Sequence, residues 1–100
     1  MDKKFLKKLI SIGHTLSPIL RITKQELSPN VLHELNRALD DHELIKVKIV
    51  CEKEIRDNLF LYMEELPETK VVQRIGGVVL LYRPSKEKNR KLSNILRSGK

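Results

Sequence analysis

Gly76-Gly77 stands between two five-residue runs, Val71-Val72-Gln73-Arg74-Ile75 and Val78-Val79-Leu80-Leu81-Tyr82. Aliphatic runs joined by two glycines commit the chain to a tight antiparallel hairpin, because glycine supplies the backbone angles of a two-residue turn. A lone hairpin is marginal in water. The remaining residues must therefore supply further strands, and helices to cover the sheet they make.

They do so in alternation. From Lys3 to Leu16 the apolar residues Phe5, Leu6, Leu9, Ile10, Ile12 and Leu16 recur at helical spacing, with Lys3, Lys4, Lys7 and Lys8 between them. Ser17-Pro18 ends this helix, since a residue before proline is pushed out of the helical region. Ile19–Ile22 is short and β-leaning, and Thr23-Lys24-Gln25-Glu26 forms a loop. Ser28 is a good N-cap with Pro29 at the first helical position, ahead of the stripe Val31, Leu32, Leu35, Ala38, Leu39. Leu44 to Cys51 alternates as a strand, with Ile45, Val47, Ile49 and Cys51 on one face. Lys46 and Lys48 project from the other face, which implies that it is partly open. A third helix from about Lys53 to Leu66 turns Ile55, Leu59, Tyr62, Met63 and Leu66 inward, and Pro67 stops it.

The expected order is thus α-β-α-β-α-β-β: one α/β domain with a four-stranded mixed sheet packed by helices. Residues 1–86 make up that domain, and 87–100 form a basic C-terminal tail. Ser85 to Lys100 has only Leu92, Ile95 and Leu96 to bury, which predicts a mobile tail or a frayed helix.

Charge narrows the function. The chain carries +7 over 100 residues, unevenly placed. Residues 1–27 hold six Lys/Arg against Asp2 and Glu26, residues 28–84 hold eight against ten acids, and residues 85–100 hold six against Glu87. Basic ends around a near-neutral middle suit a polyanion, whose phosphates release counterions when neutralised; a solubilising surface with a basic tail is the plainer alternative. Catalysis finds no support. Asp40/Asp41 and Glu64/Glu65 are sequence neighbours and diverge on a helix. His14, His33 and His42 lack metal-ligand spacing, and Cys51 is the only cysteine, so no metal, cofactor or disulfide framework is expected. His14 is open to a phosphate contact or to a capping role. Lys7 and Lys8 break any N-terminal export signal, and no apolar run approaches membrane-span length, so a reduced, cytoplasmic, non-enzymatic protein without membrane contact is expected.

The runs His42-Glu43-Leu44-Ile45-Lys46-Val47-Lys48-Ile49, Val72-Gln73-Arg74-Ile75-Gly76 and Leu81-Tyr82-Arg83-Pro84-Ser85-Lys86 resemble the CRM domain (chloroplast RNA splicing and ribosome maturation). The bacterial stand-alone YhbY-like form is the nearest kind, and the resemblance spans roughly residues 5–86. It implies an RNA-binding module with the same element order. It further implies a factor for assembly of the large (50S) ribosomal subunit, acting as a monomer on large-subunit ribosomal RNA or pre-ribosomal particles, with ribosomal proteins as possible neighbours. The phosphate contacts expected are Lys7, Lys8, Arg21, Thr23, Lys24, Gln25, Lys46, Lys48, Arg83 and Lys86. The family carries a Gly-x-x-Gly loop after its first strand, analogous to the backbone-clamping loop of KH domains. Here Thr23-Lys24-Gln25-Glu26 replaces it, and side chains at both ends limit close approach of an RNA backbone. That departure shifts weight to the basic helix and tail, or leaves a protein-interaction module of the same fold that has lost RNA binding.

Overall fold

The computed structural model describes residues 2–23, 27–86 and 92–97. Eight elements follow one another: α1 (Lys3–Gly13), β1 (Leu20–Ile22), α2 (Pro29–His42), β2 (Leu44–Ile49), α3 (Lys53–Glu64), β3 (Lys70–Ile75), β4 (Val78–Tyr82) and a short α4 (Asn94–Arg97). The strands form one mixed sheet in the order β1-β2-β4-β3. β1 runs parallel to β2, while β4 is antiparallel to both β2 and β3.

Alternation along the strands divides the core into two layers. Ile22, Ile45, Val47, Ile49, Val79 and Leu81 face α2 and α3, which contribute Leu35, Ala38, Leu39, Leu59, Phe60 and Met63. Leu44 and Leu80 face the other way and meet Leu9 and Ile12 of α1, with Phe5, Leu16, Val72, Tyr82 and Ile95 around them. At Gly13 α1 lies directly on Leu80 of the sheet. A Cβ there would stand 2.5 Å from Leu80 Cδ2.

Helix boundaries follow local chemistry. Asp2 Oδ1 accepts the Lys4 amide at 2.9 Å, and Ser28 Oγ accepts that of Val31 at 3.2 Å. α1 stops at Gly13, short of the expected Leu16, because the Thr15 hydroxyl donates to Ile12 O at 2.7 Å and draws the chain into a turn. Leu16 still packs into the α1 layer. α3 likewise ends at Glu64, followed by a turn in which Leu66 N bonds Met63 O.

One inward residue of α3 differs from expectation. Tyr62 is 54% exposed, and Phe60 is buried in its stead. The cause lies in β3, where a bulge between Val71 and Gln73 leaves Val72 as an extra residue. Past the bulge, Arg74 pairs with Val79 and so faces α3. Its guanidinium lies 4.3 Å from the Phe60 ring centroid and ion-pairs with Asp57. This cover draws the inner face of α3 round towards Phe60.

A buried polar joint closes the fold. Glu43 alone links α2 to β2, at φ 63°, and its carbonyl accepts the Arg83 amide at 2.8 Å. Its carboxylate accepts Ser85 N at 3.3 Å and the Ser93 hydroxyl at 3.0 Å. Burial, and secondarily the charge of Glu43, raises the Tyr82 phenol above its ordinary value. Arg83 is itself buried, a correction to its expected role as a phosphate contact. Its Nε donates to Pro67 O at 3.0 Å and its Nη2 to Asn36 Oδ1 at 2.8 Å, while Thr69 Oγ1 accepts from both. Asp40 lies 3.4 Å from Nη1. The tail expectation also changes. Leu92–Arg97 is seated on the domain, with Ser93 fully buried.

Two stability effects follow. Arg83→Leu strands several of these acceptors and should lower unfolding free energy by about 2–4 kcal/mol in urea titrations. Gly77→Ala places a Cβ 2.7 Å from Ile49 O. It should cost about 1–3 kcal/mol, whereas Gly76→Asn, at an open position with φ +58°, should cost less than about 1 kcal/mol.

Candidate nucleic-acid interface

α1 covers only part of its face of the sheet. The rows nearest Phe5 and Leu9 lie beneath the helix: Leu44 beside Tyr82, then Lys46 beside Leu80. Lys46 is half-buried there, next to the residue on which Gly13 rests. The following row runs Arg21, Lys48, Val78, Ile75 across all four strands. Arg21 and Lys48 are exposed, and Ile75 is 65% exposed. This is the open end that two lysines on an apolar strand implied.

Arg21 reaches this face because Leu20 and Ile22 are drawn into the α2/α3 core. Lys48 does so because Val47 and Ile49 are buried on the opposite side. Thr23 follows β1 directly, is exposed, and lies beyond the point where Val50 N bonds Ile22 O at 2.8 Å. Lys24 and Gln25 lie outside the described residues. On α1, Lys7 is exposed and Lys8 half-buried. The structure therefore brings Arg21, Thr23 and Lys48 to one open sheet end, with Lys46 half-buried under α1 and Lys7 and Lys8 on the helix that covers the rest of that face.

Two expected residues stand apart. Arg83 has its guanidinium committed inside the joint. Lys86 borders a cleft of about 590 Å³ shared with Asp40, Asp41, Glu68, Arg83 and Ser85, where carboxylates would repel phosphate. Three residues were passed over at the sequence level. Lys3 and Lys4 share the exposed side of α1 with Lys7, a periodicity that was legible. Lys70 pairs with Tyr82 and so belongs to the α1 side, but it precedes the strand as read from the sequence.

The sheet separates the charges. The α2/α3 side carries Glu34, Asp40, Asp41, Glu52, Glu54, Asp57, Glu64, Glu65 and Glu68, against Arg37, Lys53, Arg56 and the strand residue Arg74. On the α1 side stand Lys3, Lys4, Lys7, Lys8, Arg21, Lys46, Lys48 and Lys70, and among the described residues of these elements Asp2 is the only acid that opposes them. Glu43 is buried in the joint. Unlike charges on opposite faces concentrate positive potential on one surface, where a polyanion would dock.

The aromatic side chains do not add a base-stacking platform to that face. Phe5 and Tyr82 meet edge to face at 5.4 Å, and Phe60 is buried beneath Arg74. Tyr62 is exposed, but on the acidic α3 side. Among the described residues no group of three His, Cys, Asp or Glu is placed to hold a metal, and no helix is long and apolar enough to cross a membrane. His42 Nδ1 lies 2.7 Å from Leu92 O. Cys51 is half-buried against the α2/α3 core.

The chain is similar to known proteins. A probable RNA-binding protein of Pseudomonas aeruginosa is 44% identical over 94 residues, covering 91% of this chain and 88% of that protein. An RNA-binding protein of Haemophilus influenzae is 37% identical over 87 residues, covering 86% and 85%. The solution structure of a hypothetical Staphylococcus aureus protein, described as a candidate RNA binder, superposes with a TM-score of 0.63 at 28% identity, covering 93% of this chain and 97% of that one. A family model for the CRS1 / YhbY (CRM) domain matches residues 1–83. The chain is a member of the CRS1 / YhbY (CRM) domain family.

Proposed function

We propose that this chain is a non-enzymatic RNA-binding protein that grips structured RNA by its phosphate backbone across the α1 side of the sheet. The observation that carries the reading is the division of charge by the sheet, with Arg21 and Lys48 at its uncovered end and the lysines of α1 beside them. Relatives named as RNA-binding proteins support it. With the basic face lacking a free aromatic among the described residues, recognition rests on shape and backbone more than on base identity.

The finer reading is a factor for large-subunit (50S) assembly, cytoplasmic and monomeric, on large-subunit ribosomal RNA or its precursors. It draws on the YhbY-like sequence runs. Lys24 and Gln25 join the proposed contacts through the loop that leads to the N-terminus of α2, where backbone amides favour an anion. Lys7 and Lys8 extend the surface along α1, and residues 87–100 act as a basic extension of the 1–86 domain. A second reading is a module that docks on protein. It is favoured by Leu61 and Tyr62, 58% and 54% exposed side by side on α3, and by the loss of both loop glycines.

Crosslinking to RNA in cells, with sequencing of the recovered fragments, separates the two. Clusters on large-subunit ribosomal RNA are the expected result. Recovery at background level from expressed, soluble protein would sink the RNA reading and leave the α3 surface as the site. In vitro, Arg21→Gln with Lys48→Gln should weaken binding evenly across RNA sequences. It should also flatten the slope of log affinity against log salt by about 2. An unchanged slope would remove the open sheet end from the interface.

A further inference from the structure

Most arginines with described side chains are held by the protein's own acids. Arg37 pairs with Asp41, Arg74 with Asp57 and Arg83 with Asp40. Arg21 and Arg56 are the others, and among the described residues neither guanidinium has a hydrogen bond or an ion pair. Both stand at the same end of the sheet.

Arg21 reaches that end from β1, and Arg56 reaches it from α3. A Cβ on Gly77 would lie 3.6 Å from Arg56 Cδ and 3.8 Å from its Nη1. Gly77 O accepts Ile49 N at 2.7 Å, and Ile49 pairs with Ile22 on its other side. Ile22, Ile49 and Gly77 thus form the last row of the sheet, one step of about 3.3 Å beyond Arg21, Lys48 and Val78. Arg56 lies against that rim, although its helix belongs to the acidic side. Glu52 stands four residues before it, the spacing of a helical ion pair, and does not hold it.

The Arg56 Nε is buried without a hydrogen-bond partner, and no other buried side-chain nitrogen or oxygen among the described residues is in that state. An N–H left so raises the free energy of the unbound protein, and an acceptor that draws the guanidinium outward relieves it. The turn beside it is open. A Cβ on Gly76 would have nothing within 4 Å, and neither glycine puts a side chain over the rim. Bare glycines allow a nucleic-acid backbone the close approach that side chains limit at Thr23-Lys24-Gln25-Glu26.

We propose that Arg56 is a further contact for RNA phosphates, and that the interface turns round the rim of the sheet at Gly76-Gly77 instead of ending on the α1 side. The proposal rests on the RNA-binding reading above and adds one residue to that surface. Arg21 and Lys48 hold the backbone from one face of the sheet end, and the planar fork of Arg56 takes phosphate oxygens from the other.

Two measurements on the full chain test it, with a short double-stranded RNA hairpin as the probe. In NMR titrations that follow the arginine Nε–H signals, those of Arg21 and Arg56 should shift together, while that of Arg37, paired on α2, stays. An Arg56 signal that stays while Arg21 moves would overturn this proposal and leave RNA binding standing. No movement at either, with no binding of the hairpin, would overturn both. The second measurement is the slope of log affinity against log salt. Arg56→Gln should flatten it by about 1, and Arg37→Gln should leave it unchanged. A wild-type slope in Arg56→Gln would overturn the contact. So would an equal flattening in Arg37→Gln, because net charge alone would then set the slope. Should Arg56→Gln fail to fold by circular dichroism, the titration of the unaltered chain decides.

Discussion

The bond from the Arg83 amide to the Glu43 carbonyl is the contact on which the rest of this fold hangs. It extends the β2–β4 ladder by one residue, at the point where α2 must turn into β2 without a loop. Glu43 accepts a positive φ there, which costs about 1–3 kcal/mol in an L-residue and persists only where the surroundings hold it. The surroundings are the two side chains. Glu43 reaches Ser85 and Ser93, and Arg83 reaches α2 through Asn36 and the α3–β3 turn through Pro67 and Thr69. Four stretches of chain are therefore tied at one buried place. The His-Glu-Leu and Tyr-Arg-Pro runs that carry the family resemblance are the two halves of that tie.

The sheet built on this joint has distinct faces. One is roofed by two acidic helices, and the other by a single lysine-bearing helix too short to cover it. Burying an ionised side chain unpaired costs several kcal/mol, so charge has to lie on the outer surfaces, and the order of elements decides which sign goes where. α2 and α3 follow β1 and β2 and cross to the same side, taking most of the acids with them. α1 and the short segment Leu92–Arg97 take the other side. The polarity of the molecule is thus a result of topology as much as of composition.

The sequence made much of this legible where local rules suffice. The hairpin followed from Gly76-Gly77, the start of α2 from Ser28-Pro29, and the two faces of β2 from alternation through Lys46 and Lys48. It failed where a residue's role depends on partners far away in the chain. Arg83 reads as a surface cation until Pro67, Thr69 and Asn36 are seen to surround it. Tyr62 reads as core because helical spacing says nothing of the bulge at Val72, which sends Arg74 over Phe60. Ser93 and Asn94 look like ordinary tail residues, and only the shortness of β1 makes a place for them. At the interface, Arg21, Lys46 and Lys48 were legible as outward residues of strands. The meeting of Arg21 and Lys48 at the uncovered end was not, since it depends on strand order and on where α1 stops.

The register of Leu92–Asn94 against His42–Leu44 bears on the order in which the molecule assembles. A turn of two glycines closes at once, whereas a contact spanning 50 residues must wait for the intervening chain and meets a larger entropy of loop closure. During synthesis Glu43 and Leu44 emerge well before the Ser93 and Asn94 that meet them. Until then the β2 edge at Leu44 is bare and the Glu43 carboxylate lacks one donor. The nascent domain is therefore a sheet with an unfinished rim, and the last segment to arrive acts as its selvage.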